Sequence, residues 1–294
     1  MNTIHYLTAE DLRGLFWPGV VTGLAIAALC ALLSVLVVLK RLAFIGQGVS
    51  HAAFGGVGIV ALLGLAGAFA AGATALDSVG TLAQFAIIFA FCLGAALLIG
   101  LLSGRSTESD TAIGIVLVGS MALGAILLHL APSPISWETF LFGSITDVSW
   151  ADALVAWGVA LVVLATLWWT RRRLVFWAFD PVVARAMGVR AGAMQLLLMT
   201  LLALATVTAM KLAGVVLATA MLVLPGAIAL RLSTRWSRTL ALAAITSVLG
   251  VLAGLVVSFE LNWPTGPSIV AVLATLFALA RGTESLRART GARP

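Results

Sequence analysis

At 294 residues, with 62% hydrophobic and only 10% charged side chains and a mean hydropathy of +1.15, the chain has several times the apolar content one core needs. That excludes a soluble enzyme or binding module and implies a polytopic membrane protein. A formal charge of +6 would suit nucleic acid in a soluble chain, but here the placement of Lys and Arg between apolar runs accounts for it completely.

Runs of about 20 apolar residues can span a bilayer. They fall near Phe16 to Leu39, Ala52 to Leu76, Leu82 to Leu102, Thr111 to Leu130 and Ala151 to Thr170. Four more lie near Ala193 to Met210, Leu212 to Leu230, Thr239 to Phe259 and Pro267 to Ala280. The first run is too long for the apolar core of a signal peptide, so it is expected to be a span. The expectation is an all-α bundle of nine spans, or eight if the stretch around Lys211 is one broken, partly re-entrant element.

With the amino terminus outside, the inner loops collect 15 of the 17 basic residues and only Arg13 and Lys211 stay outside, which predicts an N-out, C-in orientation. Lys211 reads either as a snorkelling end residue, the favoured choice, or as a charge in a pathway. Cys30 and Cys92 lie inside apolar runs with no C-x-x-C pairing, so they read as small core residues.

Between the first two runs stands Gly46-Gln47-Gly48-Val49-Ser50-His51-Ala52-Ala53-Phe54-Gly55-Gly56. On a helix Gln47 and His51 are one turn apart and share a face with Gly55, so an amide and an imidazole would face a groove left by a missing side chain. That is a site or a tight packing seam. Ionisable and amide groups at membrane depth are functional candidates by default, with close helix contact glued by Gln47 and Ser50 as the alternative.

The outer loop from Ala131 to Trp150 carries Pro132, Pro134 and Trp137 and reads as an interfacial or re-entrant turn anchored by Trp137 and Trp150. Ser149 with Asp152 forms a capping box for the fifth span, and Asp110 can cap the fourth. His129 suits the outer end of the fourth span as an amphipathic ring; His5 lies in a polar tail.

The inner loop is expected to run from Arg171 to Gly192. Within it, Asp180 as N-cap, Pro181 at the first helical position and Gly188 at the stop specify a short helix over Asp180 to Gly188. So short a helix needs support from lipid or from another protein. The carboxy-terminal residues 283–294 form a basic tail behind a single membrane domain, 1–282. Gly19-x-x-x-Gly23 and Gly250-x-x-x-Gly254 are spaced for close helix contact, within the chain or between copies.

The only lysines, Lys40 and Lys211, follow Leu39 and Met210, so the chain has no phosphate-binding Gly-Lys-Ser/Thr loop and is not expected to hydrolyse ATP. Ser50 and His51 are adjacent and point about 100° apart on a helix, which does not suit a nucleophile and its base. No Gly-x-Ser-x-Gly or His-Glu-x-x-His pattern occurs, and the chain is not expected to be an enzyme.

Seven blocks in order resemble the permease subunits of ATP-driven importers for zinc, manganese and related divalent metals. They are Lys40 to Gly46 leading into Ser50-His51-Ala52, Asp110 to Val116, Leu141 to Ile145, and Phe179-Asp180-Pro181 with Ala186 to Val189. Lys211 to Val215, Leu224-Pro225-Gly226-Ala227 and Pro264-Thr265-Gly266-Pro267 complete the set. The resemblance implies a permease of the bacterial inner membrane that pairs with itself or a related permease, docks two ATP-binding cassette subunits and receives metal from an extracytoplasmic binding protein. The divalent metal is then cargo, ATP is used by the partners, and this chain holds no cofactor.

In that setting Asp180, Pro181, Arg185, Met187 and Gly188 belong to a cytoplasmic coupling helix. His51 lines the metal path, with Gln47, Ser50, Glu260 and Asn262 as secondary contacts. Two departures remove negative charge: Gln47 stands where the family usually has aspartate, and Asn262 where an acidic residue is frequent. The alternatives are an ion-coupled carrier, which would normally place several charges at the midplane, and a diverged permease of the same family with another cargo.

Overall fold

The computed structural model describes the backbone of residues 10–64, 78–102, 109–131 and 148–289, and the side chains of all of these except 10–16, 78–82, 109, 211–213 and 284–289. The described residues form α1 (Glu10–Leu39), α2 (Ala43–Leu62), α3 (Ser78–Leu102), α4 (Ser109–Leu130), α5 (Trp150–Phe179) and α6 (Pro181–Ala186). They continue as α7 (Ala191–Met221), α8 (Leu224–Leu232), α9 (Trp236–Leu261) and α10 (Thr265–Arg289). Among them are nine stretches long and apolar enough to cross a membrane. The readings of His5, of Arg105, of the loop with Pro132, Pro134 and Trp137, and of the Lys211 side chain lie outside the described residues.

Contacts between helices give their directions. Trp157 Nε1 donates to the Val21 carbonyl and Lys40 Nζ to the Trp177 carbonyl, so α5 runs parallel to α1. Ser247 Oγ donates to the Ala27 carbonyl while Val35 clusters with Ala243, so α9 runs antiparallel to α1. Gly226 of α8 packs on the backbone of Ser34 and Leu230 joins the cluster of Leu39, so α8 runs parallel to α1.

These directions, together with the lengths on either side of the break, decide between eight and nine spans. α7 starts near the end where α1 finishes, yet α8 descends beside α1 toward that same end, so the chain reverses between them. The reversal is at Gly214, whose φ of 82° and ψ of 165° break the helix. That backbone region is closed to side chains bearing a Cβ. The spans on either side are Ala191–Met210 and Gly214–Leu232, the two-span form of the sequence reading.

Two boundaries differ from the sequence reading. The second span begins at Ala43, not Ala52, and its described helix stops at Leu62, because Gln47, Ser50 and His51 lower local hydropathy without breaking the helix. α5 runs through Arg171, Arg172 and Arg173 to Phe179, so the expected inner loop is helix for its first nine residues. Arginine ends an apolar run but is a good helix former. The last span ends at Thr283, and for the same reason its helix continues past it to Arg289.

α1 and α2 are the most enclosed spans. α1 packs against α5, α7, α8 and α9, and α2 against α3, α4 and α7. Cys30 and Cys92 are fully buried and unpaired, as small core residues. Helices in lipid gain little from the hydrophobic effect between them, so close approach at small residues matters. The Gly250-x-x-x-Gly254 pair serves contact within the chain: a Cβ at Gly250 would strike the Leu273 side chain, and one at Gly254 the Ile269 backbone.

The directions also gather Lys40, Arg41, Arg171, Arg172, Arg173, Arg185, Arg190, Arg231, Arg235, Arg238 and Arg281 at one end of the bundle, hereafter the basic end. Trp150, Trp263 and His129 lie at the other, with Trp150 and Trp263 exposed as expected of interfacial anchors.

Replacing Gly254 with alanine forces the Ile269 backbone aside and is expected to cost about 1–3 kcal/mol. Gly158, with nothing within 4 Å of its would-be Cβ, accepts alanine. Thermal unfolding of the detergent-solubilised protein should show a clear drop for Gly254→Ala and none for Gly158→Ala.

Candidate functional site

α1 ends in a tight corner. Leu42 N donates to the Val37 carbonyl and Arg41 N to that of Val38, the paired bonds of a Schellman stop, with Arg41 at the left-handed position, φ 56°. α2 starts two residues later and carries Phe44, Gln47 and His51 on successive turns of one face. Phe44 is 58% exposed, Gln47 is exposed and His51 half-buried. The α2 neighbours cover its other faces.

His51 Nδ1 lies 3.0 Å from the Gln47 carbonyl oxygen. With hydrogen on Nδ1 this is a hydrogen bond one helical turn back, and it leaves the Nε2 lone pair for a ligand. A backbone acceptor on the far nitrogen is the usual way an imidazole is oriented for metal. The Gln47 side chain, on the same uncovered face, adds a neutral oxygen donor.

Ser50 does not join them. It is fully buried and its hydroxyl donates to the Gly46 carbonyl at 2.7 Å, a contact that serves its own helix. Gly55 does not open the groove expected of it either. A Cβ there would lie 2.6 Å from the Phe91 ring, so this glycine is a packing seam with α3, and the polar pair faces outward from the chain.

Glu260 and Asn262 stand elsewhere. α9 runs antiparallel to α1 and ends away from the basic end. At 1.5 Å per residue, Glu260 is about 25 Å further along the bundle axis than His51. Asn262 is exposed and left-handed, φ 54°, at the end of α9. Trp263 N donates to the Ser258 carbonyl at 3.0 Å, and Ser258 Oγ to the Trp263 carbonyl at 2.7 Å. Asparagine tolerates this conformation, so its local work is to stop the helix. Among the described residues no three of His, Cys, Asp and Glu gather as a metal site.

The short helix α6 has the ends the sequence specifies. Asp180 Oδ1 accepts from Val182 N and Val183 N, both at 2.9 Å, and Pro181 is at the first helical position. Val189 N donates to the Ala184 carbonyl and Gly188 N to that of Arg185, with Gly188 at φ 82°, a second Schellman stop. Arg185 Nε donates to the Pro181 carbonyl. Ala184 is buried against the bundle while Val182, Val183 and Met187 are 69%, 46% and 73% exposed. α6 therefore offers an apolar face beyond the basic end.

The other caps are structural. Ser149 and Asp152 form the expected capping box, whereas Asp110 lies inside the first turn of α4, where its charge favours the helix dipole. The sequence reading missed Lys40 as a contact residue. Its Nζ lies 2.9 Å from the Trp177 carbonyl and 3.8 Å from the centroid of the Trp177 ring. Partial burial lowers its pKa from the ordinary lysine value.

The sequence profile of the ABC 3 transport family matches residues 14–282. The chain belongs to that family. It is 34% identical over 281 residues to the manganese transport system membrane protein MntB of Synechocystis, covering 94% of this chain and 84% of that one. It is 29% identical to the chelated iron transport system membrane protein YfeD of Yersinia pestis, covering 95% and 89%. The solved structure of PsaBC from Streptococcus pneumoniae with a Fab superposes with a TM-score of 0.75 at 29% identity, covering 93% of this chain and 92% of that one. An inward-facing metal-chelate type ABC transporter shares the fold, with a TM-score of 0.69 at 20% identity over 94% and 90%. The ABC 3 match includes α2 and α6, the two elements that carry the candidate residues.

Asp180→Ala removes the acceptor of two N–H groups, a loss of about 1 kcal/mol. Amide exchange across 181–186 should quicken about fivefold, with exchange in α9 unchanged.

Proposed function

We propose that the chain is the membrane-spanning permease of an ATP-driven importer for divalent transition-metal ions, working by alternating access. The observation that carries this reading is the His51 and Gln47 pair, held by its own helix on an uncovered face of α2 in a chain of the ABC 3 transport family. Relatives are named for manganese and for iron, and imidazole with neutral oxygen suits manganese, iron or zinc.

Among the described residues one chain presents only this short donor set, while a transition-metal ion takes four to six ligands. A second permease copy, or a related permease, facing the same axis completes the path. Neutral donors hold a divalent ion less tightly than carboxylates do, which suits a transit site that must release its cargo. Ser50 acts by shaping α2, and Glu260 and Asn262, at the far end of α9, belong to the entrance.

The basic end faces the cytoplasm, by the rule that Lys and Arg stay inside. There α6, through Val182, Val183 and Met187, seats in the groove of an ATP-binding cassette subunit, with Asp180, Pro181, Arg185 and Gly188 holding its shape. The opposite end meets an extracytoplasmic metal-binding protein. The setting is the inner membrane of a bacterium.

The test is uptake of manganese, zinc and iron(II), each alone, in cells lacking their own importers and supplied with this chain, its ATPase and its binding protein. His51→Ala should lower uptake at least tenfold at equal membrane level. Uptake that persists without the ATPase would indicate an ion-coupled carrier. No uptake of any of the three metals would indicate a different cargo.

A further inference from the structure

In α5 the Trp177 carbonyl should accept from the N–H four residues on, but that residue is Pro181, which has none. The last carbonyls of a helix have no partner within it; here Val182 N and Val183 N are taken by Asp180 Oδ1, and at Trp177 the proline rules out an N–H altogether, so this carbonyl needs a partner from elsewhere. Lys40 supplies it: Nζ donates to the Trp177 carbonyl at 2.9 Å while lying 3.8 Å from the ring centroid of the same residue. Trp177 is only 7% exposed, so both contacts are made where water competes little. A cation at a helix carboxyl end is also favoured by the helix dipole.

The two corners joined this way have different roles. Lys40 is followed by Arg41 in its left-handed turn and then by α2, which carries Gln47 and His51. Trp177 is followed by Asp180, the cap of α6. The two residues are 137 apart in sequence, so this bond is a direct route between the partner-facing helix and the helix of the polar pair.

We infer that Lys40 is a positioning residue that transmits displacement of α6 to the start of α2, so that the ATPase stroke reaches the metal path through this corner as well as through the packing of α7. The inference rests on the importer reading above. It goes beyond that reading by naming the link inside the chain.

The experiment uses the full complex in lipid vesicles, measuring manganese, zinc and iron(II) uptake and ATP hydrolysis in the same preparation. Lys40→Met keeps the apolar stem and removes the donor and the charge. It should lower metal moved per ATP hydrolysed about tenfold, and Lys40→Arg should restore it to within about threefold of wild type. Trp177→Leu, which keeps the carbonyl and removes the ring, should lower the ratio about threefold and serves if Lys40→Met does not assemble.

A purely structural role would lower uptake and hydrolysis together and leave the ratio unchanged. An unchanged ratio in Lys40→Met, or in Trp177→Leu where that variant stands in, overturns the inference. Amide exchange separates this from failure of the importer reading. A wild-type complex that moves none of the metals would count against the importer. The link would still be decided by whether the substitution quickens exchange at both 43–47 and 180–186, or overturned by exchange unchanged at 43–47.

Discussion

Where a helix ends beside a bilayer, its last carbonyls and first N–H groups have little water to turn to. The corners of this bundle are built around that constraint. α1 stops with Arg41 in a left-handed turn, α6 opens on the Asp180 carboxylate and closes at Gly188, and α9 stops at Asn262 with Ser258 bonded across the turn. Each solution uses a different residue type, but each pairs backbone groups within a few residues of the corner. The exception is Trp177, whose open carbonyl is paired from another helix by Lys40. Local satisfaction leaves those other corners independent, and this one joins two.

The same division separates what the sequence made legible from what it did not. Hydropathy gave the number of spans found among the described residues, because bilayer thickness sets the length of an apolar run whatever the packing. The end signals of α6 were legible because capping is a short-range effect. Boundaries at Ala43 and Phe179 were misplaced because hydropathy reports lipid contact, whereas helix formation tolerates Gln, His and Arg. The Lys40 contact could not be read from spacing. The signal that could have raised it is Pro181, since a proline just past a helix implies an open carbonyl four residues earlier.

The candidate site was partly legible for a related reason. A helix fixes which residues share a face, so Gln47 with His51 follows from spacing alone. Whether that face is covered depends on neighbours remote in sequence. Phe91 fills the space beside Gly55 whereas Gln47 is exposed among the described residues, a difference no local pattern contains. Glu260 and Asn262 were grouped with His51 by resemblance and proximity to a motif, while the direction of α9 sets them about 25 Å away along the axis at 1.5 Å per residue.

On the function proposed above, the geometry also explains how a weakly binding pair serves a driven process. His51 is oriented by the Gln47 carbonyl of the preceding turn, so its ring travels with α2 as a rigid unit. α2 in turn is anchored at its first residues through the α1 corner and enclosed on its other faces by α3, α4 and α7. Packed helices respond to a push by shifting between discrete arrangements, since their interfaces do not deform continuously. A displacement at the α5 and α6 corner would therefore reach the imidazole as a change in what faces it, with no change in its own helical environment. Release of a cargo then needs no tight site to be destroyed, only a partner surface to be moved away.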